Sequence, residues 1–155
     1  MTFHTADLYD EHGEALASLS VQLGNYGSAL SFSGPIRTVS CFEDNSVLKR
    51  VVSEPGNGAV LVVDGHGSLE RALMGDMIAN IAAQNGWAGV VINGAIRDRA
   101  AIATIPLGVK ALGTNPRKSV KNNVGEVDVP VVIGGVRFEP GKTIYCDEDG
   151  ILVER

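Results

Sequence analysis

In the stretch GDMIANIAAQNGWAGVVINGAIRD, Gly75 to Asp98, the carboxylate of Asp76 stands at a predicted helix start. Twenty residues later an Arg97-Asp98 pair follows a predicted buried strand. The free N–H groups of a helix start form an anion site without help from any side chain. Each of the three residues also has a plain structural role. Asp76 can serve as a first-turn acid that complements the helix dipole. Asp98 can cap a short helix over Arg99 to Thr104. Arg97 can pair with a surface acid, a contact worth little. Singly, these roles are the default. Arg97 and Asp98 point to opposite faces of a regular strand, so they act together only if the chain has turned, and Asn93-Gly94 supplies a turn signal.

The elements that would position them read as an α/β pattern. Ala59–Gly65 (AVLVVDG) and Ala88–Asn93 (AGVVIN) are short, continuous β-branched runs, as expected of parallel strands covered on both faces. Between them a helix is predicted with Met77, Ile78, Ile81 and Ala82 on its inner side and Gly86 as its stop. This makes a βαβ unit. Open α/β sheets bind ligands at the carboxyl ends of their parallel strands, so Asp64-Gly65-His66-Gly67, Gly75-Asp76 and Asn93 to Asp98 are expected at one edge. Upstream, Thr5 to Leu19 has a helical look with Thr5 as its N-cap, and Thr38, Val39 and Cys41 suggest a strand. Asp44-Asn45 offers a cap for a short helix with Val47, Leu48, Val51 and Val52 inward, ended by Pro55-Gly56. From Leu107 onward the pattern is β, with Gly134-Gly135 and Asp149-Gly150 as turns.

The 155 residues are expected to form one domain, 1–155, with a soluble composition: 45% hydrophobic and 20% charged. No apolar run approaches the ~20 residues that span a bilayer, and the polar start carries no secretion signal. Cys41 and Cys146 lack CxxC spacing and read as reduced packing thiols, with a disulfide left open. The cytoplasm is the expected location. A net charge of −5 argues against direct nucleic-acid binding, which needs a basic face. Arg117, Lys118 and Lys121 read as a solvated loop. An acidic surface suits a basic protein partner instead.

Other candidates are weaker. Gly65-His66-Gly67 lacks the third glycine of a dinucleotide loop, position 70 being Glu. His66 has no second imidazole nearby and reads as an incidental loop residue. Lys49, Lys110, Lys118, Lys121 and Lys142 sit in no apolar pattern that would lower an amine pKa for Schiff-base work. Asp147, Glu148 and Asp149 read as a solvated turn.

The spacing of Asp76 and Arg97-Asp98 resembles the signature of the RraA-like family. That family contains the class II 4-hydroxy-4-methyl-2-oxoglutarate aldolases and the protein regulator of ribonuclease E activity. The resemblance runs through CFEDN (Cys41 to Asn45), VLVVDGHGS (Val60 to Ser68), RALMGD (Arg71 to Asp76), GAIRD (Gly94 to Asp98), LGTNPRKS (Leu112 to Ser119) and the final GGVRFEPGKTIYCDEDGILV. It implies an α/β/β/α sandwich like the swivelling phosphohistidine domain. It also implies a homotrimer or dimer of trimers, with sites at subunit contacts. Carried over to this chain, backbone N–H groups of Gly75, Asp76, Met77 and Ile78 would hold a substrate carboxylate. Arg97 would bind the keto-acid oxygens, Asp98 would hold a divalent metal (Mg²⁺ or Mn²⁺), and Asp76 would transfer a proton, through water.

The implied chemistry suits these residue types. Cleaving a C–C bond beside an α-keto acid leaves a pyruvate enolate, whose oxygen a metal and a guanidinium can stabilise. One protein carboxylate can suffice, because Mg²⁺ keeps several waters. Oxaloacetate decarboxylation passes through the same enolate. The chain departs from the aldolases in carrying Ala101 where they often have an acid, and in ending at Arg155 where longer aldolases extend. In length it is similar to the ribonuclease regulator, whose partner is an RNA-degrading endonuclease. The regulator lacks the acid after the arginine, however, and Asp98 is present here. The retained acid favours the oxo-acid lyase.

Overall fold

The computed structural model describes residues 2–155. Its elements are α1 (Thr5–His12), β1 (Leu16–Ser18), β2 (Gly24–Asn25), β3 (Phe32–Ser40), α2 (Ser46–Val52), β4 (Val60–Asp64), β5 (Ala72–Met74), α3 (Asp76–Gln84), β6 (Gly89–Ile96), α4 (Arg99–Ile102), β7 (Gly108–Thr114), β8 (Glu126–Val127), β9 (Val131–Ile133), β10 (Val136–Phe138), β11 (Thr143–Cys146) and β12 (Ile151–Glu154). One mixed sheet runs β1-β12-β11-β3-β4-β6-β7-β2, with β5 added to β6 and β8 to β3, while β9 and β10 form a separate hairpin.

β3 joins two halves of this sheet. Its first half, Phe32 to Pro35, pairs antiparallel with β11, and its second, Ile36 to Ser40, runs parallel to β4. Every residue of β4 is buried, which explains its unbroken β-branched sequence: both faces are covered. One face packs Val39, Leu61, Val63, Val90 and Ile92 against Leu48 of α2, Ile78 of α3 and Ile102 of α4. The other packs Val60, Val62 and Val91 against Phe138, Ile144 and Val153 of the antiparallel strands. Leu152 of β12 lies outside both cores, although it is buried, and it shares a cavity wall with Thr5 and Tyr9 of α1. Helices, parallel strands, antiparallel strands and a further helix therefore follow in layers, as the α/β/β/α pattern requires.

Several local expectations are corrected. The helix from Thr5 stops at His12, because Gly13 takes φ 54° and a glycine in the left-handed region ends a helix cheaply. Leu16 to Ser18 is then an edge strand. Thr5 is the first helical residue and not the cap. Its N–H and hydroxyl donate to Asp147 at 2.7 and 2.6 Å. Asp147 is thus buried and no part of a solvated turn. Burial alone would raise its carboxyl, but hydrogen bonds from Thr5, Asp149 and Gly150 hold it below the usual range. Lys110 also departs from expectation: it is fully buried, and desolvation pushes its amine down, against opposing pulls from Cys146 and Asp147. Cys41 and Cys146 are free, buried, and assigned to opposite cores. Burial pushes the Cys41 thiol up to about 12, so it is an inert packing group.

Candidate functional site

The carboxyl edge of the parallel strands gathers the residues that the sequence marks. β6 pairs with β4 as far as Asn93, then shifts register and pairs with β5 through Ala95 and Ile96. The strand therefore continues past Asn93-Gly94, which is no turn. The Arg97 N–H donates to Met74 O at 3.0 Å, a bond that sets Arg97 beside the chain leading into α3. The turn comes one residue later, where Asp98 adopts φ 60°, ψ 41°. This left-handed conformation is uncommon for a residue with a side chain, and it breaks the strand alternation that would part the two groups.

Asp98 precedes α4 but does not cap it; no side-chain cap bond forms there. Its Oδ2 instead accepts the Asp76 N–H at 3.1 Å, at the start of α3. A helix N-terminus carries partial positive charge and unpaired N–H groups, so a carboxylate is favoured there. Of the backbone donors expected to hold a substrate carboxylate, that of Asp76 is thus engaged by Asp98. Those of Met77 and Ile78 belong to the first turn, whose N–H groups have no partner within the helix.

Gly75 makes this approach feasible. A Cβ built on it would lie 2.5 Å from Asp98 Oδ2 and 3.5 Å from both Cγ and Nε of Arg97. The Asp76 carboxylate makes no hydrogen bond or ion pair among the described residues. Arg97 has no acidic partner there either; its guanidinium donates to Pro116 O at 3.3 Å.

These groups line one cavity of about 140 Å³, together with Met77, Ile78, Lys49, Lys118 and Lys121. The three lysines are the part that sequence reasoning missed. Lys118 and Lys121 follow β7, the next parallel strand, and so share the same edge; their place after a third strand end was the available signal. Asp44 folds that loop back. It accepts N–H bonds from Asn122 at 2.8 Å and Val124 at 3.2 Å, and from Ser46 at 2.9 Å. Burial would raise the Asp44 carboxyl, but these bonds hold it below the ordinary range. Asn45, also buried, donates to Leu73 O and accepts Lys121 Nζ at 3.2 Å, which aims that ammonium. Met77 is 67% exposed; it lies at the cavity mouth and not on the inner helix face, where Ala79 takes its place beside Ile78 and Ala82.

Four cations face two carboxylates here, in a chain whose net charge is −5. Such a local excess suits a ligand with more than one negative charge. A larger cavity, about 400 Å³, lies elsewhere. In it Arg155 pairs with Glu14 and Arg137 with Glu139, while Lys142 Nζ donates to Arg155 O and Glu154 accepts the Thr143 N–H.

Comparisons with known proteins identify the family and the fold. The RraA-like family model, described as Aldolase/RraA, matches residues 5–153. The RNA-processing inhibitor RraA from Thermus thermophilis is 43% identical, with 99% of this chain and 93% of that one covered and a TM-score of 0.95. A Geobacillus kaustophilus HTA426 protein named as an S-adenosylmethionine:2-dimethylmenaquinone methyltransferase is 47% identical over 98% of this chain and 94% of that one, with a TM-score of 0.96. Streptomyces coelicolor RraAS2, described as an unusual member of the RNase ES inhibitor RraA family, is 30% identical over 96% and 76%, with a TM-score of 0.76.

Proposed function

Because the chain belongs to the RraA-like family, we propose that it is a divalent-metal-dependent lyase that releases pyruvate from 4-hydroxy-4-methyl-2-oxoglutarate and related 4-hydroxy-2-oxo acids, and that it decarboxylates oxaloacetate at the same site. One observation carries this reading: the Asp98 carboxylate turns away from its own helix and lies beside Arg97 and Asp76 in a cavity lined by three lysines.

The donor set fits a hard cation such as Mg²⁺ or Mn²⁺. Asp98 is exposed and offers an Oδ1 with no hydrogen bond among the described residues. Those residues contain no group of three or more His, Cys, Asp or Glu side chains placed to hold a metal. A cation that keeps several waters needs fewer protein ligands than that. Held by Asp98, it would act as a Lewis acid toward the keto-acid oxygens.

The remaining roles fall to the chain itself. The Met77 and Ile78 N–H groups receive the substrate C1 carboxylate at the positive end of α3. Arg97 faces the C2 oxygen, where enolate charge develops. Asp76, through water, takes the C4 hydroxyl proton as the C3–C4 bonding pair passes to the pyruvate fragment. Lys49, Lys118 and Lys121 hold the distal carboxylate. The cavity, about 140 Å³, is small beside the ~300–1,000 Å³ of drug-sized ligand sites, which suits a small oxo-acid.

A lactate-dehydrogenase-coupled assay tests this. Pyruvate should form from both acids with Mg²⁺ or Mn²⁺ and cease when a chelator is added. No pyruvate from either acid, with folded protein, sinks the reading. We propose a homotrimer or dimer of trimers, in which the exposed Phe42, Leu69 and Met77 would be covered. Light scattering should give a mass of three or six chains, and a monomer at micromolar concentration refutes this.

A second reading is a protein inhibitor of an RNA-degrading endonuclease. It is favoured by the 43% identity to a protein described as an RNA-processing inhibitor and by the acidic net charge, which suits basic RNA-binding segments.

A further inference from the structure

A second constellation lies on the same sheet edge, outside the Asp98 cavity. Ser40 ends β3 and Asp64 ends β4, directly opposite each other in register, and Asn93 of β6 is Asp64's other neighbour. His66 stands in the loop after β4. Its Nε2 is 3.0 Å from Ser40 Oγ, and its Nδ1 is 3.6 Å from Asp64 Oδ2. Asp64 is buried, and its Oδ1 accepts the His66 N–H at 2.9 Å and Asn93 Nδ2 at 3.1 Å.

Hydroxyl, imidazole and carboxylate thus follow in the order of nucleophile, base and orienter, the arrangement that defines a serine nucleophile by geometry whatever the fold. With the carboxylate facing Nδ1, that nitrogen carries the proton and Nε2 is left to accept from Ser40; the tautomer is assigned from these partners. The 3.6 Å gap is slightly longer than a hydrogen bond, as such contacts often are before substrate binds.

The backbone argues that His66 is more than an incidental loop residue. It takes φ 56°, a conformation that glycine holds at no steric cost and a side chain holds less cheaply. The ring covers no core, its side chain being 51% exposed. Its ring nitrogens face Ser40 and Asp64. Strain kept without a packing return points to function.

We propose that Ser40, His66 and Asp64 form an acyl-transfer site that hydrolyses small carboxylic esters. Ser40 Oγ attacks the ester carbon while His66 Nε2 takes its proton. His66 then returns that proton to the departing alkoxide as the acyl C–O bond breaks, leaving an acyl-serine and the alcohol. Water, deprotonated by the same nitrogen, releases the carboxylic acid and restores Ser40.

The test treats the whole protein with a fluorophosphonate, which Ser40 would displace at phosphorus with loss of fluoride, and with p-nitrophenyl acetate. The expected result is a single phosphonyl adduct mapped to Ser40 and ester turnover that Ser40→Ala removes. His66→Gly should cut both by about a hundred-fold or more, the usual range for loss of a general base, with no fall in melting temperature because glycine suits that backbone. A wild-type protein that gives no Ser40 adduct, or a His66→Gly variant that labels as fast as wild type, overturns the proposal.

Discussion

Asp98→Asn should lower pyruvate formation by about a hundred-fold to ten-thousand-fold, the several kcal/mol that a Lewis acid contributes to a developing oxyanion. The melting temperature should stay near that of wild type. Asn is nearly isosteric, and its amide oxygen can still accept the Asp76 N–H that Asp98 now accepts at 3.1 Å. Asn also tolerates the left-handed backbone at this position, φ 60°. No cap is lost, because Asp98 caps nothing in α4. What the substitution removes is the negative charge that an oxygen-ligated divalent cation requires. A purely structural Asp98 predicts full activity in this variant, and that outcome would reassign the ligand. Inhibition of an RNA-degrading endonuclease, the second reading, should survive the change, so a single variant separates the two functions. Loss of both would show that they share this carboxylate.

The strands and helices that build the site were legible where burial is continuous. β4 and β6 announced themselves as unbroken apolar runs because both faces of the parallel sheet are covered. α2 showed its inward Val47, Leu48, Val51 and Val52, all buried as read. β5 was invisible, since three residues, Ala72 to Met74, are too few to show a period. Yet β5 carries the Met74 carbonyl that holds Arg97 and leads directly into Gly75. The lysines were hidden for a different reason. Lys118 and Lys121 lie in a loop with no hydrophobic pattern. What folds it over the site is long-range: the hydrogen bonds that Asp44 accepts from the Asn122 and Val124 N–H groups, and the bridges Asp44–Val120 and Ala72–Lys118. Asp98 itself was half legible. Its residue type and place suggested a cap, and only its left-handed backbone conformation, which aspartate tolerates better than most side chains, turns it to the neighbouring helix. His66 followed the same rule: its partner Ser40 is 26 residues away, and only the parallel register joins them.

Gly75→Ala should lower kcat/KM by about a hundred-fold while the protein stays folded. The backbone does not demand glycine, because φ −113° and ψ −167° suit alanine. Stability should scarcely change. Alanine is slightly poorer than glycine as an N-cap, but it stiffens the unfolded chain, and these effects, each of about 0.5–1 kcal/mol, oppose one another. The demand is steric and local. The new methyl would stand 2.5 Å from Asp98 Oδ2 and 3.5 Å from Arg97 Cγ and Nε. The carboxylate is the far end of a side chain on an exposed residue, so it gives way before the backbone does. In moving by an ångström or so it leaves the Asp76 N–H, and a misplacement of that size costs about 10² in rate. The double variant Gly75→Ala, Asp98→Asn should then be little worse than Asp98→Asn alone, since both changes act on one group. The divalent-cation concentration for half-maximal activity should rise in Gly75→Ala. Wild-type activity in Gly75→Ala would mean that the close approach of Asp98 to α3 plays no part in the chemistry. A fall of more than about 10 °C in melting temperature would mean that the glycine serves the fold.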